Sequence, residues 1–366
     1  MKKNDYYAVD GLIDSISMIK TMAVLYNQEV GIHTFELKSD FQTAKGESQL
    51  QQVWNVLKAG KLQGKRLIRL TNGLWAEMIY PIREEWSQPF LKIVVNPRVL
   101  VDGQEGYLGI TDLDTLERCI RTFEDFWKGK GIEMPINMCS ISRVDLCMNL
   151  QMDQSFWVEG YIDLLKRTPH DRKYKLCKFF DPDADRHYVG FTNNSRRLCV
   201  YDKAYEQRRF SRARASQCPN LMRVELQLYR PGIRKVIDEQ QSVENIDRLR
   251  YMVLNAPRIL CQGIYAILPG NPYMDPKSVW QRVELHTELR SQTKAWMKEL
   301  IKQLWQADTY DKVADQWETS ILRKVRNDFV KIGVSPAAIR GNTQTRFLPC
   351  LSAMVTYVLK ESGKLI

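Results

Sequence analysis

No stretch of this sequence reaches the roughly 18 consecutive apolar residues that a membrane-spanning helix needs. The opening run MKKNDYYAVDG has two lysines but no apolar segment behind them, so a secretory leader is not expected. None of the eight cysteines, at 119, 139, 147, 177, 199, 218, 261 and 350, are spaced Cys-x-x-Cys. That disfavours a zinc site and fits a reduced cytoplasmic compartment, with each thiol a small buried apolar group. No repeat and no low-complexity linker is visible. Negative charge is the minority: 43 Asp and Glu face 54 Lys and Arg, a net +11. A surplus of that size favours a polyanionic partner, most often nucleic acid, and no membrane is expected.

What is present is ample for real cores. The chain has 366 residues, 44% of them hydrophobic and 10% aromatic, enough for two or three folded units. Residues 1–89 read as an α/β region, either separate or continuous with the core sheet. Gly11–Met18, Gly31–Leu37 and Leu74–Ile79 have strand character, and Glu47–Leu57 has helical spacing. Residues 90–244 alternate strands and helices: Phe90–Val95, a helix over Thr111–Lys128 capped by Thr111 or Asp112, then Ser140–Leu150, Phe156–Arg167, Lys173–Phe180, a hairpin over Tyr188–Asp202, and Leu221–Leu228. Pro231-Gly232 is expected to break the chain before a helical Ile233–Gln240. This order predicts an α+β fold, an antiparallel sheet with helices packed on one face. From 245 to 366 strand patterns give way to helical ones, at Ile246–Leu254, Arg258–Ile267, Lys277–Gln306, Tyr310–Val330 and Leu351–Leu359, so a domain boundary is placed near 245. Ser335-Pro336 can start another short helix, and Ser335–Leu348 carries a weak helix-turn-helix pattern.

Three strands put reactive groups on the face opposite their apolar side chains, because side chains alternate along a strand. One face offers Arg143 and Asp145, one Arg197 and Tyr201, one Arg223 and Glu225. Asp145 and Glu225 are hard oxygen ligands suited to Mg²⁺ or Mn²⁺. Arg223, Arg197 or Lys203 could hold phosphate oxygens, and Tyr201 could attack phosphorus. A tyrosine near its ordinary pKa of about 10 needs a metal, a cation or a base beside it. The same alternation also describes a solvated sheet face with Arg–Glu decoration.

The stretches ISRVDLCMNL (141–150), YVGFTNNSRRLCVYDKAYEQ (188–207) and MRVELQL (222–228) resemble the three core motifs of the rolling-circle replication initiators of Gram-positive plasmids and phages and the related relaxases of conjugative elements. The likeness lies in an Arg-x-Asp strand, a Tyr-x-Gly hairpin leading to Tyr-x-Lys-x-x-Glu, and an Arg-x-Glu strand, and it covers roughly residues 90–240. The resemblance implies an enzyme that nicks one DNA strand at an origin, stays attached to the 5′ phosphate through tyrosine, and later rejoins the ends. It implies a sheet similar to that of the HUH nucleases and a divalent metal. Carried over, the nucleophile falls on Tyr201, the acidic positions on Asp145 and Glu225, the basic ones on Arg223 and Lys203, with Glu206 a weaker candidate. This sequence lacks a His-hydrophobe-His motif, so its metal site has at most one histidine, and His187 is the nearest in sequence. Asn149 stands where the family often has a second carboxylate, and Tyr188 and Tyr205 are rival tyrosines.

Two basic segments flank the hairpin. Lys166–Lys178 includes Arg172, Lys173 and Lys175 with Tyr174. Arg208–Arg214 includes Arg208 and Arg209 with Phe210, and Arg196 and Arg197 lie between the segments. Mixed cations and aromatics suit DNA backbone and unpaired bases, at a single-stranded or hairpin nick site. The helical region after 245 offers a surface for a host helicase or a second copy of the chain. The rival readings are conjugative transfer by the same chemistry and a non-catalytic DNA-binding regulator on the same fold. A tyrosine recombinase is disfavoured, because His170-Asp171-Arg172 does not give the His-x-x-Arg it needs.

Overall fold

The computed structural model describes residues 23–24, 30–40, 53, 68–79, 90–103, 109–152, 155–177, 182–209, 220–237, 244–268, 270–340 and 346–363. The expected strand Gly11–Met18 and nearly all of the expected helix Glu47–Leu57 lie outside these residues.

In chain order the first elements are β1 (Ala23–Val24), β2 (Gly31–Asp40), β3 (Ile68–Thr71), β4 (Leu74–Ile79), β5 (Phe90–Val95), α1 (Pro97–Asp102) and α2 (Leu113–Lys128). There follow β6 (Ser140–Met152), α3 (Ser155–Arg167), β7 (Lys175–Leu176), α4 (Pro182–Arg186), β8 (Tyr188–Thr192), β9 (Arg196–Asp202), α5 (Lys203–Arg209), β10 (Leu221–Tyr229) and α6 (Arg230–Val236). The last stretch holds α7 (Asn245–Tyr265), β11 (Tyr273–Met274), α8 (Pro276–Leu285), α9 (Ser291–Gln306), α10 (Tyr310–Ala314), α11 (Thr319–Lys331), β12 (Phe347–Leu348) and α12 (Leu351–Glu361).

Among the described residues ten strands form one sheet in the order β3-β4-β5-β2-β6-β10-β9-β8-β7, with β1 pairing the far end of β6. Every pairing is antiparallel. The α+β class is therefore as expected, and the strands of residues 1–89 that are described continue the core sheet. β6 is central: it is 13 residues long and pairs with both β2 and β10. Its Val144, Leu146, Met148 and Leu150 are buried with Val224, Leu226 and Leu228 of β10 and Leu198 and Val200 of β9. This apolar face packs on α3 and α7. Each such side chain contributes about 1.5–3 kcal/mol when fully buried, so the face sets the register: a one-residue slip would expose all of them.

Local signals place the ends. Asp112 caps α2, accepting from the Thr115 amide at 2.7 Å. β10 ends just before Pro231, as expected, and Pro231 sits in the first turn of α6, where a missing N–H costs nothing. The long segment 277–306 divides into two helices at His286, and 246–265 is one helix containing Pro257. The expected strand Lys173–Phe180 shrinks to β7 among its described residues. No helix begins at Ser335-Pro336, and Phe347–Leu348 is a strand paired with β11, so the helix-turn-helix expectation is corrected. Ala337 and Ala338 of that stretch are buried, one in each core.

The boundary near 245 marks a change of secondary structure but not a break in the core. α7 lies on β2, β6 and β10, α12 lies on α7, and both belong to the sheet's hydrophobic core. A second core, built by α8, α9, α10 and α11, gathers Val279, Met297, Leu300, Leu322 and Phe329. No helix among the described residues is long and apolar enough to cross a membrane.

Two glycines test this packing with opposite signs. A Cβ on Gly31 would come 2.3 Å from the Ile110 carbonyl oxygen, a backbone atom that cannot swing away. Gly31→Ala should lose about 1–3 kcal/mol in guanidinium unfolding. Gly160, exposed on α3, meets nothing within 4 Å, and Gly160→Ala should gain roughly 0.5–1 kcal/mol.

Candidate functional site

The face opposite the helices carries the polar residues of each strand. In register, Tyr188 of β8 stands beside Tyr201 of β9, which stands beside Arg223 of β10, which stands beside Asn149 of β6. The next row is Gly190, Cys199, Glu225 and Cys147, and the next is Thr192, Arg197, Gln227 and Asp145. The three strand faces read from the sequence therefore form one surface.

The hairpin that positions Tyr201 is fixed locally. The Asn193 side-chain oxygen accepts from the Ser195 amide at 2.8 Å and the Arg196 amide at 3.0 Å, an Asx turn. At the other end β9 runs directly into α5. The Asp202 side chain accepts from the Tyr205 amide at 2.9 Å and so caps that helix. The short turn folds Lys203 back over the sheet, its ammonium 5.7 Å from the centre of the Tyr201 ring.

Tyr201 is half-buried and lines a cavity of about 440 Å³ with Tyr188, Arg197, Glu206 and Glu225. Its hydroxyl donates to Glu225 Oε2 at 3.2 Å. Gln227 donates to the other Glu225 oxygen at 2.8 Å. The ring stacks on Tyr188 with centroids 6.0 Å apart. Burial, then the Glu225 carboxylate, push the Tyr201 phenol well above its ordinary value, and Arg223 opposes them.

Arg223 is completely buried, with Nε donating to Asn149 Oδ1 at 2.8 Å. It cannot reach a phosphate in the cavity, so its expected grip on the substrate is corrected. It acts as a fixed positive charge beside Tyr201 on the neighbouring strand. Arg197, half-buried on the cavity wall, and Arg209, exposed beside it, are the arginines that line the cavity. Arg196 points to the other face, lining a crevice with Leu226, Arg258 and Gln262. A two-residue period cannot place neighbours on one side.

Asp145 is diagonal to Glu225, since Asp145 pairs with Gln227. Diagonal neighbours are about 7–8 Å apart, where two like charges cost about 2 kcal/mol at an effective dielectric near 20. Burial, then Glu225, hold the Asp145 carboxyl well above the usual carboxylate range, while Arg143 at 2.9 Å pulls it down. Arg143 is shared with Glu36 of β2 at 2.6 Å, which Lys92 also meets at 3.2 Å. Asp145 Oδ1 is buried without an aligned hydrogen bond. Asp145 and Glu225 are hard oxygen donors of the kind a divalent cation takes, but such an ion would share these oxygens with Arg143, Tyr201 and Gln227, which already meet them. His187 does not join them: its Nδ1 lies 3.4 Å from Asp202, and its ring stacks on Tyr205 at 3.9 Å. Among the described residues no group of three or more His, Cys, Asp and Glu side chains is arranged to hold a metal.

Glu36 is the member the sequence reading missed. Its strand HTFELKSD alternates like the others, with Glu36 opposite the core. The signal was there, but nothing local says that β2 lies beside β6.

The basic segments divide. Lys166 pairs with Asp185, Arg167 with Asp163, and the His170 ring lies 3.3 Å from Asp311; all three are buried and serve structure. Arg172, Lys173 and Lys175 are exposed at the β7 edge. Arg208 and Arg209 are exposed on α5, with Arg208 3.8 Å from Asp202 and Arg209 on the cavity wall. Tyr205 donates to Asp183 at 2.6 Å, tying α5 to α4.

No protein-family model matches this chain, and no curated protein matches it.

Lys203 gives a pH test. Burial, then Arg223, bring its amine down from 10.5 to about 8, although Glu206 accepts a hydrogen bond from it. The unfolded chain keeps this proton to higher pH. The stabilising term is therefore present above about 10.5 and is lost as pH falls through about 8. Between those values wild-type stability should rise relative to Lys203→Met by about 3 kcal/mol, read from denaturant midpoints across that range.

Proposed function

We propose that this chain is a metal-dependent nicking and joining enzyme for single-stranded DNA, with Tyr201 as nucleophile, and that it starts rolling-circle replication of a mobile element. The observation that carries the reading is the Tyr201 hydroxyl. It lies at the end of a strand in an open cavity, bonded to Glu225, with Arg223 on the neighbouring strand and the Lys203 ammonium over the ring. The motif resemblance and the +11 charge support it.

In the proposed reaction the phenol passes its proton toward Glu225 as its oxygen attacks phosphorus. A tyrosine–phosphorus ester forms, the bond to the 3′ oxygen breaks, and that oxygen leaves as a hydroxyl after taking a proton. One phosphodiester is exchanged for another, so the reverse step rejoins the strand. Lys203 and Arg197 meet the charge that builds on the phosphoryl oxygens. Arg223 offsets Glu225, which would otherwise hold the phenol too weakly acidic. A Mg²⁺ or Mn²⁺ on Asp145 and Glu225 would supply Lewis-acid stabilisation of the same oxygens. The fold would then be of the HUH-nuclease kind, with a carboxylate metal site, and DNA the partner.

The test is intact mass of the protein after incubation with single-stranded origin oligonucleotides and Mn²⁺. A covalent adduct on the peptide containing Tyr201 is expected. Tyr201→Phe should abolish it while leaving DNA affinity within about twofold, and Tyr188→Phe and Tyr205→Phe should keep it. An adduct that survives in Tyr201→Phe sinks the assignment. DNA binding with no adduct under any metal favours the regulator reading. Asp145→Asn should lower the adduct rate by at least about 100-fold, as expected when one group stabilising the transition state is removed, with binding retained.

A further inference from the structure

A second cavity lies where the sheet edge meets the α10–α11 helices. Its volume is about 460 Å³, and its lining includes Arg172, Lys175, Tyr310, Asp311, Asp315 and Trp317. A space of this size suits one nucleotide better than an extended polymer. Arg172 and Lys175 are exposed at its mouth, and Asp315 is exposed beside them. Tyr310 is 2% exposed and forms a buried wall of the cavity. The Arg326 guanidinium lies against the same ring, 5.7 Å from its centre. The Trp317 indole donates to Gln303 Oε1 at 2.6 Å, which fixes the plane of a half-buried aromatic ring.

Strand register connects this cavity to Tyr201. Lys175 pairs with Thr192, Thr192 with Arg197, Arg197 with Gln227, and Gln227 with Asp145. Residues directly opposite in an antiparallel sheet point to the same face. Lys175 and Arg197 therefore lie on the catalytic side of the sheet, two strand spacings or roughly 10 Å apart. Beyond Lys175 the sheet ends and the second cavity begins. A strand held by Arg197 near Tyr201 would find its next cations at Lys175 and Arg172.

We propose that this cavity takes one unpaired guanine of the single strand that Tyr201 engages; the inference rests on the DNA reading above. Carboxylates only accept hydrogen bonds, so Asp311 and Asp315 select a base edge that only donates. Guanine offers adjacent N1–H and N2–H₂ groups. Adenine and cytosine present an acceptor nitrogen beside their amine, and thymine has an acceptor on each side of its N–H. Trp317 offers the stacking surface that unpaired bases use. Asp311 also holds His170 Nε2 at 3.3 Å through Oδ1, so Asp315 is the carboxylate left for the base.

The test uses the full chain carrying Tyr201→Phe, so that binding is measured without chemistry. Fluorescence anisotropy compares a labelled oligothymidine containing one guanine with the same strand containing hypoxanthine, which lacks the 2-amino group. The guanine strand should bind about tenfold more tightly. Asp315→Asn, an exposed change that leaves the fold intact, should erase the preference while keeping affinity for oligothymidine. Arg172→Ala should weaken all strands equally. Equal affinity for the two strands, or a preference that survives Asp315→Asn, overturns the proposal. So does deoxyguanosine monophosphate binding as tightly as the strand, which would mark a free-nucleotide site. The adduct assay on the unmodified protein reports separately. An adduct with no guanine preference removes this cavity alone, and a preference with no adduct removes the chemistry alone.

Discussion

The structure depends on the two-residue period of β6, β9 and β10 held in one register. Val144, Leu146, Val224, Leu226, Leu198 and Val200 are driven under the helices by the same hydrophobic term. Because the side chains between them have nowhere else to go, Asp145, Glu225, Arg197 and Tyr201 are forced onto the other face. The site is a by-product of core burial: no polar contact has to assemble it. The polar contacts that do form, such as Arg223 with Asn149, then set the electrostatics of a face already determined.

Electrostatics on that face are arranged in layers. The fully buried Arg223 cannot meet ligand, yet its charge opposes Glu225, which makes the phenol less acidic. Lys203 lies over the Tyr201 ring, folded back by a helix that starts within one residue of the strand. Glu36, Arg143 and Asp145 extend the polar network toward β2. The Tyr201 oxygen therefore sits between opposing charges. In the low-dielectric interior such charges act more strongly than in water.

Much of this was legible in the sequence because it is local. Alternation in RVDLCMNL and MRVELQL gives the faces, Asn193-Asn194-Ser195 gives the turn, and Asp112 gives a cap. What was not legible is what depends on distant partners. The depth of Arg223 follows from strands on both sides of β10. Glu36 joins the site only because β2 lies beside β6, a crossover with no local signature. Lys166, Arg167 and His170 look like nucleic-acid ligands until Asp185, Asp163 and Asp311 come into contact with them. The change to helices at 245 is real, but α7 carries apolar residues that the sheet needs, so the core ignores that boundary.

β9 is bonded along both edges, to β10 on one side and β8 on the other. If Tyr201 carries the end of a DNA strand, any pull on that strand arrives at the end of an interior ribbon, not at a free edge. Force along the ribbon loads its ladder bonds together, whereas an edge strand could be unzipped one bond at a time. An attachment at Tyr201 would thus be mechanically strong as well as chemically placed.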